Sequence, residues 1–398
     1  MRFKGIYKTV DYAFSALTYT MDEDLSVAAA HVRRDELVIL GLVLSLFASA
    51  VLAAAGMFAI CGYLVLQGRL KKIIATVENA GYLLAFCLVT LAVSLVSRNL
   101  QGVFIAFVMC TMFIVSLFIR SVMTRALFEK IVDVGCLASL LGFVVIVIQK
   151  LATMDDPTYR AASTFLNANY YGAITDLVVL LCIYKMIQPG QKHWQYYLVI
   201  GILNHIGLNL SNCRSAVAAL AVSILVILFL NRRYRALGIM LVVEILNIAS
   251  FYLVPSLMPR IGHAGMDFMY RAEIWKTSIL GILAHPFFGQ GGGSYRLVFA
   301  GLGGPDEMHA HSLYLDPLLN FGIVGMTFLA VYYRSNLKSI RNLIGNPQDQ
   351  PRLFLLLAVL VCIAIHGVMD ITVFSVQTGL LVSILMGVAG IRENPQAA

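Results

Sequence analysis

Charge is scarce in this chain. Only 13% of its 398 residues are charged and 60% are hydrophobic, where a soluble domain carries about 25% and 45–50%. That deficit excludes an ordinary soluble enzyme. The seven cysteines (Cys61, Cys87, Cys110, Cys136, Cys182, Cys213 and Cys362) form an odd set with no CxxC and no Cys-His spacing, so neither a disulfide framework nor a thiolate metal site is expected. There is no HExxH, no GK[ST] after the glycine cluster, no repeat of 20 to 50 residues and no low-complexity tract. The alternating short segments of a β-barrel are missing as well. A cleavable leader is not expected, because residues 1–36 are mixed and charged and the run that follows is too long for a signal core.

What the chain has in quantity is apolar runs, at 37–67, 73–97, 101–119, 131–149, 167–187, 194–210, 214–230, 237–254, 318–333, 353–369 and 374–391. Most match the roughly 20 residues that carry a helix across a hydrocarbon core. The expected fold is an all-α, polytopic membrane helix bundle with about eleven or twelve transmembrane helices, read as one integral-membrane domain over 1–398. The first run is too long for one upright helix, so it forms either a tilted span or a tight hairpin near Ala53-Ala54-Ala55-Gly56.

The net charge is +8, and its placement says more than its sum. Arg69/Lys71/Lys72, Arg120/Arg125/Lys130, Lys185/Lys192, Arg232/Arg233/Arg235 and Arg334/Lys338/Arg341/Arg352 occupy alternate connections. The positive-inside rule makes those five cytoplasmic, and a role in topology rather than in nucleic-acid binding follows. The C-terminus then falls inside. A single first span would put the N-terminus outside, whereas Arg2, Lys4, Lys8, Arg33 and Arg34 favour inside and the hairpin. The opposite set of connections includes 151–165, 211–214 and the longest, the extracytoplasmic loop 255–316. Loops of that length are functional or disordered, and this one is too apolar for disorder.

The loop opens with Pro255 and Pro259, then reads as helical over 266–284. Ile274, Trp275, Ser278, Ile279, Ile282 and Leu283 are expected on one face, with Glu273, Lys276 and Thr277 opposite, as in a helix lying at the membrane interface. Arg271, one turn before Trp275, could stack on that ring or reach lipid headgroups. The glycines after His285-Pro286 follow no strand, so a flexible turn is expected there rather than a nucleotide loop. His309 and His311 follow Asp306 and Glu307. They lack a recognised metal spacing, so no metal is expected, and a histidine there suits a general base. Asp133, Asp176, His205, Glu244, His366 and Asp370 lie within or at the ends of apolar runs, where ionisable groups face the bundle interior. Of these, His366 and Asp370 lie close to the level of the long loop. Arg214 starts a span after Ser211-Asn212-Cys213, where a guanidinium can meet lipid phosphate or grip a ligand anion.

Together these residues resemble the O-antigen ligase and polymerase family of bacterial membrane glycosyltransferases. The resemblance rests on Tyr270-Arg271 with Trp275, on His285-Pro286 followed by Gly289 and Gly291, on His311-Ser312-Leu313-Tyr314-Leu315, and on Phe321-Gly322-Ile323-Val324-Gly325. Upstream, Ser211-Asn212-Cys213-Arg214-Ser215 is similar to the family's Ser-Arg turn and Phe165-Leu166-Asn167-Ala168-Asn169 to its Asn-Pro-Asn motif. Ser312 stands where the family usually has Asn, Ala168 where it has Pro, and Ser211 lies three residues before Arg214 instead of beside it.

The resemblance, which spans about 164–390, implies that a glycan is transferred from a polyprenyl-diphosphate (undecaprenyl-type) donor to a hydroxyl of a glycan or lipid-glycan acceptor. The reaction takes place on the outer face of the bacterial cytoplasmic membrane, with inversion and with no metal, nucleotide or other cofactor. It implies His311 as base, Arg271 and Arg214 as cations for the leaving diphosphate, and Trp275, His309, Tyr314 and Asn169 as substrate-binding residues. Membrane lipids are the other expected partners. A competing class is a secondary transporter of an envelope precursor using Asp176 and Glu244, which inverted repeats would favour. A third is a scaffold subunit in which Arg271 and His311 are dispensable.

Overall fold

In the computed structural model, residues 27–156, 158–254, 262–344 and 346–391 are described. The basic residues Arg2, Lys4 and Lys8 and the prolines Pro255 and Pro259 lie outside them. The described residues form helices and no strand: α1 Val27–Ala48, α2 Ala50–Leu66, α3 Leu70–Thr76, α4 Ala80–Val96, α5 Leu100–Val122, α6 Arg125–Ala152, α7 Ala168–Ile187, α8 Trp194–Leu210, α9 Arg214–Leu230, α10 Tyr234–Leu253, α11 Ala264–Ala284, α12 Tyr295–Val298, α13 Leu315–Ile344, α14 Gln350–Met369 and α15 Val376–Met386. The chain is an all-α, multi-pass membrane helix bundle.

Six helices (α5, α6, α7, α10, α13 and α14) are long and apolar enough to cross a membrane, or seven if α2 and α3, bent by 100° at their junction, count as one span. Against the eleven or twelve expected from sequence, the difference lies in length and charge. The apolar helices α4, α9 and α15 have 17, 17 and 11 residues, and α1 carries Arg33, Arg34, Asp35 and Glu36 in its first half.

Hydroxyl and amide side chains start the helices. Ser49, Asn99, Thr124, Asn167 and Ser375 each accept a hydrogen bond from a backbone N–H in the first turn, satisfying donors that the helix itself leaves open. Ser49 settles the form of the first apolar run. Its backbone is extended and its hydroxyl caps α2, so the chain reverses there and α1 packs on α2, with Gly56 facing Leu42 and Ser45. The hairpin is real, but its turn is at Ser49, since an alanine run has no side chain with which to cap a new helix.

Polar contacts separate the two ends of the bundle. At one end Arg69 pairs with Asp35, Lys130 with Glu36, Arg125 with Asp349 and Lys185 with Glu129 and Asp133, while Arg120 bonds Asn336. The basic connections are thus gathered on one side. The turn at Asn99, the loop after α6, the turn before Arg214 and the segment 285–314 meet at the other.

The hub is α7, whose membrane-length window is 83% buried, as expected of a helix apolar on every face. It packs against α8, α9 and α14, carrying Asn169 toward the loop end and Lys185 toward the basic end. By contrast α10 is 11% buried and lies on the perimeter, where its leucines and valines face outward.

The glycine segment is no flexible turn. Gly289 and Gly322 both have positive φ, 62° and 58°. A Cβ on Gly289 would sit 2.3 Å from the Asn320 carbonyl oxygen, and one on Gly322 would sit 2.4 Å from the Phe287 backbone. Each turn occupies the space the other's side chain would need, and Gly291 N–H donates to Asn320 O at 2.9 Å. Asn99 adds a clamp, donating to Gln290 O at 3.0 Å and Gly292 O at 2.9 Å. Gly322→Ala is therefore expected to cost about 3 kcal/mol or more from backbone strain and overpacking together. Gly62→Ala, on an open helical face, should be neutral or slightly stabilising. Thermal unfolding of both variants in one detergent checks the contrast.

Candidate active site

The loop helix α11 is positioned by a face that shares Ile274 and Ser278 with the apolar face read from sequence and adds Thr277 and Gly281. Ile274, Thr277, Ser278 and Gly281 are its buried residues, and Ile274 packs with Tyr295, Ala310 and Leu319. Thr277, assigned from sequence to the polar face, is buried, while Ile279 and Leu283 point outward with Met266, Phe268 and Met269. The helix is wedged onto α12 and α13 and still offers an apolar outer stripe to lipid. The outward apolar residues fit a helix at the membrane interface, while the packed side runs through Thr277, which the sequence placed on the polar face.

This placement turns Arg271 and Trp275 in different directions. The Arg271 guanidinium donates to the Met369 carbonyl at 2.6 Å, at the end of α14. The indole N–H of Trp275 points to the His311 carbonyl at 3.5 Å, and its ring meets Phe268 edge to face. Arg271 therefore neither stacks on Trp275 nor reaches toward headgroups; it faces the end of the bundle.

A buried polar frame holds the His309-Ala310-His311 segment beside it. Asp316 accepts from Ala310 N–H at 2.8 Å and from Asn320 at 2.6 Å, and Asn320 in turn accepts from Ser294 N–H at 2.9 Å. Leu313 N–H donates to Gly367 O at 2.7 Å, and Tyr314 OH, on an exposed residue, donates to Ala364 O at 2.8 Å, so the segment is stitched along α14. Within it His311 takes φ 46°, a left-handed conformation that costs a non-glycine residue free energy and often marks functional sites.

The turn brings both histidines over Asp370, which follows α14 directly and is 1% exposed. His311 Nδ1 lies 3.4 Å and His309 Nε2 4.0 Å from Asp370 Oδ1, and the two imidazole centroids are 4.1 Å apart. On its far side His311 Nε2 lies 3.4 Å from Glu307 Oε2. Asn169 donates to Asp370, and Arg160 donates to Asn169.

These environments drive the two histidines apart. Burial pushes His309 down to about 4, with the adjacent His311 charge acting the same way against the pull of Asp370 and Glu307. For His311 burial also acts downward, but the hydrogen bond and charge of Asp370 outweigh it and raise its pKa above the ordinary histidine value. Burial acts upward on Asp370 itself, yet its bond to His311 and the nearby imidazoles hold it below the usual carboxylate range. Two cations 4 Å apart in a half-buried site repel, so only one ring takes up a proton readily, and Asp370 makes that ring His311, the more basic of the two.

Arg214 begins α9 next to Cys213, whose Sγ lies 3.3 Å from Asn169 Oδ1, and pairs with Asp267 of α11 at 2.5 Å. The structure thus brings His311, His309, Asn169 and Arg271 around Asp370, with Trp275 behind His311 and Arg214 along the Asn169 side. It adds Arg160 and Asp267 to the residues named from sequence and draws Asp370 and Glu307, noted there only as nearby charges, into the cluster. Asp370 was visible as a charge near the loop level, but nothing in the sequence pointed to its pairing with His311. The buried Asp176 and His366 lie 3.9 Å apart, and Cys362 Sγ donates to Asp176 at 3.6 Å, an inter-helix cluster joining α7 to α14.

Residues 197–330 match the family model described as O-antigen ligase, which supports the resemblance over about a third of the chain. That stretch contains Arg214, Arg271, His309 and His311, while Asn169 and Asp370 join the cluster from outside it. No curated protein matches the chain.

Proposed function

From the O-antigen ligase match over residues 197–330, we propose that this protein transfers a glycan from a polyprenyl diphosphate to an acceptor hydroxyl at the outer face of the cytoplasmic membrane, with inversion and without a metal. The observation that carries the reading is the His311–Asp370 pair at 3.4 Å, facing the same end of the bundle as Arg271.

The acceptor hydroxyl enters beside His311 Nε2, next to Glu307, and its oxygen attacks the anomeric carbon. As the new C–O bond forms, the bond to the diphosphate oxygen breaks and its electron pair leaves with the lipid diphosphate. The hydroxyl proton passes to Nε2. Asp370 accepts from Nδ1–H, which fixes the tautomer and stabilises the imidazolium that results. A diphosphate needs no general acid, and Arg271 and Arg214 offset its developing charge. Attack opposite the leaving group in one step inverts the anomeric centre, with no covalent glycosyl-enzyme. Asn169 acts as a positioning residue, holding Asp370 and tied to Arg160. Tyr314 and Trp275 shape the wall on either side of His311, and His309, kept neutral, can hydrogen-bond the sugar. The exposed apolar stripe of α11 lies along the path of the prenyl chain.

Purified protein incubated with a lipid-diphosphate glycan and candidate acceptors should yield a glycosylated acceptor and free lipid diphosphate; a product that lengthens repeatedly indicates polymerisation and a single addition ligation. No transfer to any acceptor hydroxyl, with donor intact, overturns the reading. The reading also fixes sidedness. A cysteine at Gly303, in the site-bearing loop, is expected to react with an impermeant maleimide in intact cells, and one at Asn346, at the basic end, is not. The reverse pattern would put the site on the cytoplasmic face and remove the proposed location.

A further inference from the structure

We infer that His309, His311 and Asp370 form a binding site for one zinc-like divalent cation, and that its occupancy inhibits the protein. Each offers one ligand atom, and the three atoms lie within 4.8 Å of one another. Two ligands bound at about 2.1 Å in a tetrahedral site stand about 3.4 Å apart. His311 Nδ1 and Asp370 Oδ1 already have that spacing, at 3.4 Å, and His309 Nε2 lies 4.0 Å from the same oxygen. To close the set, His309 gives up the hydrogen bond its Nδ1 accepts from His311 N–H at 3.2 Å, takes the tautomer with its proton on Nδ1, and turns Nε2 toward Asp370.

Three further features suit a borderline cation. His311 Nδ1 is buried, and its 3.4 Å contact with Asp370 falls short of good hydrogen-bond geometry, so a cation can displace the proton held there. Glu307 stands 3.4 Å from His311 Nε2, where it would accept from Nε2–H as carboxylates do behind metal-bound histidines. Asn169 donates to Asp370, orienting the third ligand. Two neutral imidazoles and one carboxylate are a nitrogen and oxygen set suited to zinc.

The inhibitory half rests on the proposed transfer; the binding half does not. As a base, His311 carries its proton on Nδ1, toward Asp370, and receives the acceptor's proton on Nε2. As a ligand it must give Nδ1 to the metal and keep its proton on Nε2. One ring cannot do both, so the bound ion removes the base and screens Asp370 from it.

The test uses tag-free, chelator-stripped full-length protein in lipid nanodiscs, titrated with Co2+ as a spectroscopic probe. A saturable visible absorption that one equivalent of Zn2+ displaces is expected. His309→Ala and Asp370→Asn should each weaken Zn2+ binding by about tenfold or more, and thermal unfolding of each variant checks that it is folded. His309→Ala is the milder backbone change should Asp370→Asn fail to fold. In the transfer assay Zn2+ should stop turnover and EDTA restore it. Absence of a saturable spectrum, or a spectrum unchanged in folded His309→Ala, overturns the site. Undiminished transfer by zinc-loaded protein, or transfer that requires zinc, overturns the inhibitory role. Normal Co2+ binding by a stripped protein that transfers nothing would instead defeat the transfer reaction and leave the site standing.

Discussion

His311→Ala is expected to lower turnover by about a hundredfold or more while leaving donor affinity close to that of the parent. The split follows from when the histidine acts. In the proposed reaction its ring receives a proton as the acceptor oxygen bonds to carbon, an interaction the bound donor alone does not make, so its loss raises the barrier without loosening the ground state. The left-handed turn at position 311, φ 46°, is set by the frame of Asp316, Asn320 and Gly367, so alanine there inherits some strain; a thermal shift measured alongside separates misfolding from lost chemistry. His309→Ala should be milder, since burial keeps that ring neutral and it takes no proton in the reaction. Asp370→Asn keeps the shape of the carboxylate but not its charge, and its turnover should fall between the two. Single-turnover rates with separately measured donor binding check the order. A His311→Ala protein that turns over at the parent rate would remove the base assignment whatever the family match.

Arg271→Lys should behave differently, weakening donor affinity and turnover together. One N–H of the guanidinium is spent on the Met369 carbonyl at 2.6 Å, which aims the planar fork and leaves its other edge for a phosphate. Lysine keeps the charge and cannot satisfy both the carbonyl and a bidentate anion. About a tenfold or larger loss of donor affinity is expected, on the scale of one charge-assisted hydrogen bond. Arg214→Lys should be gentler, because Arg214 already has a carboxylate partner in Asp267 at 2.5 Å and must share its charge with the donor. Equal and small effects at both positions would argue that neither holds the diphosphate.

Much of this arrangement is legible in the sequence. Apolar runs reveal helices because lipid leaves the backbone no other way to satisfy its polar groups, and basic connections reveal the common end because lysine and arginine there act by side and number, not by contact. His311 and Arg271 stood out as polar groups in the longest loop. What stayed hidden depends on three-dimensional neighbours. The pairing of Asp370 with His311 joins positions whose relation is set by how α14 stacks beside the loop, and the rigidity of the glycine turn comes from Asn99 and Asn320, both distant from it in sequence. Trp275 next to Arg271 suggested a stacked pair, but the helix turns one toward His311 and the other toward Met369. On α11 the sequence places Thr277 with the polar residues, but it is buried beside Gly304, a neighbour that periodicity does not reveal.

The carboxylate beneath the histidines belongs to the end of α14, while the asparagine that orients it begins α7, two hundred residues earlier. A nascent chain that has placed α1 through α13 in the bilayer holds both histidines, both arginines and the Asp316–Asn320 frame, yet lacks Asp370 and the Met369 carbonyl that orients Arg271. On the proposed reaction, the cluster is complete only when the last helices join α7, and a copy clipped before α14 is expected to sit in the membrane without turning over donor.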